Sequence, residues 1–230
     1  MTLVLLGIDA DRSGSGANLR AAVERLEAAG ADVKVAAEVQ RAGLIRSAST
    51  HDLLVVGVDP FEGSTSWASR QILRHSPTPS CFIPTGWQHR RHPVTVGVDT
   101  DGSSDIAVYF AAREAARTGQ DLRLVHSWPP PDAADPGTGP APEASQAAWG
   151  VLESAAHEAR LAMDGSSREL ELELLRDKPS AALTSFARDS SMIVIGTHRR
   201  GSLMADPLGS VAQSLVGHVD CPVCVVPPPE

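Results

Sequence analysis

The chain has 230 residues, 42% of them hydrophobic and 4% aromatic, with a formal net charge of -8. That supplies apolar material for one large core or two small ones. The acidic balance argues against a general binder of nucleic acid or anionic membrane, whose phosphates would repel it, and three cysteines are too few for a disulfide scaffold and imply a reducing cytoplasm.

The opening MTLVLLGIDA has no basic flank, and its apolar run is too short for a signal sequence or a membrane span. Residues 3–8 therefore read as a first strand. A helical pattern at 17–29 follows, then a strand at 33–37, a helix at 39–47, a strand at 53–56, a helix at 67–74 and a strand at 81–83. The polar, basic segment TGWQHRRHP at 85–93 interrupts the pattern. His89 and His92 lie close together there, but no third ligand is in view, so the segment reads as a solvated linker. The alternation then resumes with strand 94–98, helix 105–118, strand 122–125, helix 143–162 and strand 170–175. It closes with helix 180–188, strand 193–195, helix 210–216 and strand 223–226. Residues 128–145, rich in Pro, Gly and Ala, read as a surface loop, either a lid or an insertion. Short, near-continuous apolar strands belong to parallel sheets covered on both faces, and strand-helix alternation implies right-handed crossovers. The expectation is a doubly wound parallel α/β sheet.

The second half repeats the first. VLLGIDAD at 4–11 recurs as VTVGVDTD at 94–101, DLLVVG at 52–57 as SMIVIG at 191–196, and TPSCFIP at 78–84 as CPVCVVP at 221–227. The spacing between partners widens from 90 residues at the first match to 139 and 143 at the others. The first half thus lacks a segment equivalent to strand 122–125, its loop and helix 143–162. Two tandem copies are expected, a shortened one over 1–86 and a complete one over 93–230.

In such a sheet ligands bind beyond the C-terminal strand ends, where strand order reverses. Asp99 ends a strand there and can accept hydrogen bonds from a ribose or a base, although DTDGSSD is equally good turn and helix-cap sequence. LVHSW ends the next strand, and His126 on its own reads as a strand-end histidine satisfied by the fold. The stretch IVIGTHRRGSLMADPLGSVAQSL at 193–215 runs from strand through a glycine-containing loop to a helix, which suits an anion held by N–H groups. CPVC at 221–224 lies on a strand rather than at a helix N-terminus, so its thiols point apart and read as buried structural cysteines. No nucleophile elbow or catalytic triad is present.

GVDTDGSS, LVHSW and the closing VIGTHRRGSLMADPLGSVAQSLVGHVDCPVCVVP together resemble a universal stress protein domain. The resemblance spans the second half, and the first half shares it in outline. It implies the adenine-nucleotide-binding α/β fold with strand order 3-2-1-4-5. ATP-binding members share the pattern Gly, two residues, Gly, nine residues, Gly, then Ser or Thr. Gly196 fills the first place and Gly209 with Ser210 the last, but the middle place holds Arg199. An arginine there either obstructs the pocket or pairs with phosphate as a bidentate donor. The resemblance implies ATP or a related adenine nucleotide, with or without Mg. Val98 and Ser127 would line the base and Asp99 would hold the ribose or base. Gly196, Gly209, Ser210 and the N–H of Val211 would hold phosphates, with Arg199 beside them. The implied output is a change of conformation or partner, with at most slow ATP hydrolysis, since no general base is identifiable.

The alternative is a nucleotide-free interaction module whose glycine loop has decayed; a phosphate-binding enzyme using DTDGSSD is a third reading. The first half, with Asp59 and Glu62 where phosphates would lie, is expected to bind no nucleotide. CFIP and VCVV are the expected pairing edges between the copies, and a homodimer stays open. No nucleic acid and no membrane partner is expected.

Overall fold

The computed structural model describes residues 2–6, 32–36, 52–58, 67–128, 142–197 and 209–228. The helices expected at 17–29 and 39–47, most of the 128–145 loop, and Asp59, Glu62 and Arg199 lie outside the described residues.

Three strands come first, β1 (Thr2–Leu6), β2 (Asp32–Ala36) and β3 (Leu53–Val58). Helix α1 (Trp67–His75) and strand β4 (Ser80–Pro84) complete the first part. The second part runs β5 (Val94–Val98), α2 (Asp105–Thr118), β6 (Leu122–Ser127), α3 (Pro142–Ala162) and β7 (Leu170–Leu175). It ends with α4 (Pro179–Ser185), β8 (Met192–Gly196), α5 (Ser210–Leu215) and β9 (Val223–Val226). The helix expected at 180–188 is cut short. The hydroxyls of Ser185 and Ser190 donate to the carbonyls of Ala182 and Phe186, both at 2.7 Å, so side chains take up acceptors a longer helix would use. A 3-10 turn at Ala187–Asp189 finishes the connection.

The described strands form one sheet in the order β2-β1-β3-β4-β9-β8-β5-β6-β7. Every neighbouring pair is parallel except β4 with β9. Within the second part the order β7-β6-β5-β8-β9 is 3-2-1-4-5 in chain numbering. Because successive strand residues point to opposite faces, each inner strand feeds two cores. Ile193 and Ile195 of β8 join Ala182 and Leu183 of α4 and Leu215 of α5 on one side. Val194 of the same strand joins Val96 of β5, Ala111 of α2 and Leu152 of α3 on the other. Alanines at 107, 111, 112 and 115, all fully buried, let α2 lie close against the sheet. β7, half-buried along its whole length, is an edge. No helix among the described residues is long and apolar enough to cross a membrane.

The 85–93 segment is tied down at the N-terminal end of the second part. Gln120 donates from Nε2 to the carbonyls of Arg90 (3.2 Å) and His92 (2.9 Å). One buried side chain thus fixes the entry into β5.

Candidate functional site

Pairing between β5 and β8 ends at Val96 opposite Val194, although the strands continue to Val98 and Gly196. The two therefore part at their C-terminal ends. This is where strand order reverses, since β6 follows β5 on one side and β9 follows β8 on the other.

The loop leaving β5 folds over that gap. The Asp99 N–H donates to Ser104 Oγ at 2.9 Å, and Asp99 Oδ1 accepts from the Thr100 N–H at 2.7 Å. Asp101 Oδ1 accepts from the Ser103 N–H at 3.0 Å. Ser104 sits at the N-cap of α2 but makes no side-chain cap bond, because its hydroxyl holds Asp99 instead. The carboxylate of Asp99 stays exposed at the lip of the gap.

Gly196 meets this loop from the other strand. A Cβ built there would lie 2.3 Å from the Ser103 carbonyl oxygen and 3.1 Å from Ser104 Cα. Only a residue without a side chain fits. Gly209 ends the second approach, with φ +63° at the N-cap of α5, a left-handed angle that L side chains adopt with strain. Ser210 is exposed, and the Val211 side chain packs into the core below. The N–H groups of Ser210 and Val211 belong to a first helical turn, where no helical acceptor precedes them.

Val98 and Ser127 end up on opposite faces. Val98 is buried under α2 and α3, whereas Ser127 is half-buried and lies two residues on from Val125, which faces the other core. His126 lies 4% exposed with Nδ1 2.9 Å from the Val98 carbonyl. A carbonyl only accepts, so Nδ1 carries the proton. This histidine ties β6 to β5 at the rim, the role read for it in the sequence. Arg199, with the rest of residues 198–208, lies outside the described residues.

Sequence reasoning missed Ser103 and Ser104. Their signal was weak: in DTDGSSD any hydroxyl or carboxylate can close the turn, and only the fold brings the Ser103 carbonyl against Gly196.

Residues 90–227 match the sequence profile of the universal stress protein family. The chain belongs to that family. A universal stress protein of Mycobacterium tuberculosis is 32% identical over 154 residues, which is 60% of this chain and 48% of the relative. A second from the same organism is 30% identical over 173 residues, 70% of this chain and 53% of its own length. The chain thus spans about half the length of the curated relatives it matches. Among solved structures, a universal stress protein from Archaeoglobus fulgidus covers 100% of this chain and 86% of its own, with 18% identity and a TM-score of 0.63. At that identity the likeness concerns the fold.

The family domain carries two cysteines in CPVC, and the structure sends them to opposite faces. Cys221 joins the core under α4 and α5, and Cys224 the core under α2 and α3. Burial, with a smaller contribution from nearby Asp220, pushes the Cys221 thiol up from its ordinary 9.0 to about 12. The folded state therefore holds this proton more tightly than the unfolded chain does. Its contribution is complete below the unfolded value of 9.0 and drains away as pH climbs toward about 12. Between pH 8 and pH 10, Cys221→Ala should reduce the wild-type loss of unfolding free energy by about 1.4 kcal/mol, read by urea titration at both values.

Proposed function

We propose that this universal stress protein binds ATP, or a related adenine nucleotide with or without Mg, at the C-terminal ends of β5, β6 and β8. The observation that carries this reading is the parting of β5 and β8 beyond Val96 and Val194, at the switch point of the sheet. The exposed Asp99 carboxylate stands at one lip, suited to ribose hydroxyls. Gly196 stands at the other, and Gly209 follows it in the chain with the spacing of ATP-binding members. Since Val98 and Ser127 occupy opposite faces, a base touching both lies across the strand ends. Arg199 takes the middle glycine's place and acts as a phosphate partner, its fixed charge replacing contacts a backbone would make. Occupancy changes conformation or partner binding in the cytoplasm rather than driving turnover.

We further read residues 1–86 as a shortened copy of the same domain. The order β2-β1-β3-β4 is that of the second part without its outermost strand, the counterpart of β7. β2 pairs with β1 as β6 pairs with β5, so the equivalent of strand 122–125, expected from the spacing to be lacking, is not the one left out. The β4–β9 pairing stands in for a contact between two separate chains.

The second reading, a nucleotide-free interaction module, is favoured by one observation: the Ser103 carbonyl already lies against Gly196. Thermal denaturation with Mg-ATP separates the two. At a hundred times the dissociation constant the nucleotide should stabilise the fold by about 2.7 kcal/mol, roughly 5–10 °C for a chain of this size. Arg199→Ala and Asp99→Ala should each weaken that shift while leaving the unliganded melting temperature in place. An unchanged melting temperature at millimolar nucleotide selects the interaction module. Sustained product formation abolished by Asp99→Ala selects an enzyme.

A further inference from the structure

Cys81 and Cys224 stand directly opposite each other where the two parts of the sheet meet. Opposed residues of antiparallel strands lie about 4.5 or 5.5 Å apart at Cα, inside the roughly 4.4–6.8 Å that a disulfide spans. Both side chains enter the core under α2 and α3, and both are free thiols. Cys221, three positions along from Cys224 in sequence, faces the other core and is no competitor. The register is symmetrical about this pair, with Ser80 opposite Val225 and Phe82 opposite Val223, as when two like edges meet about a twofold axis.

We propose that Cys81 and Cys224 are a thiol-disulfide site, oxidised by peroxide to a bond that clamps the strands β2-β1-β3-β4 onto the family domain. The proposal rests on the strand register alone and is independent of nucleotide binding. Cys81, 8% exposed against 0% for Cys224, is the sulfur an oxidant reaches first. Its thiolate attacks one peroxide oxygen and breaks the O–O bond, leaving a sulfenic acid on Cys81. The hydroxide released takes a proton and becomes water. The Cys224 sulfur then displaces the sulfenic hydroxyl, forming the S–S bond, and its own proton leaves with that hydroxyl as the second water. The two thiols give up two electrons, and the peroxide takes both.

Burial sets the pace. A hydrogen bond with the Cys81 thiol, and then desolvation, hold the Cys224 thiol well above its ordinary range, so little thiolate is present and the second step is slow. Sustained exposure is needed. Met192, with its sulfur 4.0 Å from that of Cys81, is the competing target.

Reduced full-length protein incubated for hours with hydrogen peroxide should lose about 2 Da in intact mass, whereas a sulfoxide adds about 16 Da. Non-reducing peptide mapping should join Cys81 to Cys224, and dithiothreitol should reverse the link. The melting temperature should rise by roughly 5–10 °C, because the bridge closes a long loop in the unfolded chain. Cys81→Ser and Cys224→Ser should each abolish the mass loss, and Cys221→Ser should retain it. If a serine variant fails to fold, the wild-type peptide map decides. The proposal is overturned by an oxygen on Met192 while both thiols stay free, by a link through Cys221, or by a bridge that leaves the melting temperature unchanged.

Discussion

Replacing Gly196 with alanine should lower the unfolding free energy by about 2–4 kcal/mol, at or above the upper range for inserted methyl groups. The new Cβ would fall 2.3 Å from the Ser103 carbonyl oxygen. That oxygen is main chain at the entry of α2, and it cannot swing aside as a side chain would. Either β8 or the 99–104 loop must shift, and both border the gap beyond Val96. Under the proposed nucleotide-binding function, the stabilisation by Mg-ATP should fall along with stability. Gly150 provides the contrast. It lies exposed in the middle of α3 with nothing within 4 Å of the Cβ it would gain. There the same substitution relieves a helical glycine and should stabilise by about 0.5–1 kcal/mol. Urea unfolding of both variants measures the pair, and equal effects at the two sites would refute the close approach at Gly196.

Phe82→Ala should cost about 3–5 kcal/mol, the usual loss for emptying a fully buried aromatic site. Phe82 is 1% exposed and projects from β4 into the core shared with Ile193, Leu215 and Val223. That core is built from both parts of the chain. Its disruption should therefore lower one cooperative transition rather than melt the first part alone. The check is denaturation followed by tryptophan fluorescence and by far-ultraviolet circular dichroism together. Coincident curves shifted to lower urea are expected. A separate early transition, with residues 94–226 unfolding as in the wild type, would show that the seam does not couple the two parts.

The second part was legible because its strands are short and apolar and its helices long and patterned. The helix 105–118 appears with the bounds read from its alanines and charges. The helix read at 180–188 was too long, since the hydroxyls of Ser185 and Ser190 capture carbonyls through contacts that periodicity does not encode. At the candidate site the glycines were legible and their reasons were not. Gly196 looked like room for phosphate, and the structure shows first of all that it makes room for the Ser103 carbonyl. Val98 and Ser127 were expected to line a base, and strand alternation places them on opposite faces of the sheet.

The amino-acid sequence alone determined the strands and helices of the second part, which follow from periodicity along the chain, and the family, which follows from the motifs within residues 90–227. It also aligns Cys81 with Cys224 when TPSCFIP is laid over CPVCVVP. Only tertiary structure decided that β4 and β9 pair antiparallel in a register that sets those two sulfurs side by side. Only it decided that the β5 loop folds onto β8. Both depend on packing between segments more than ninety positions apart, and nothing local in the chain specifies which backbone surface will meet which.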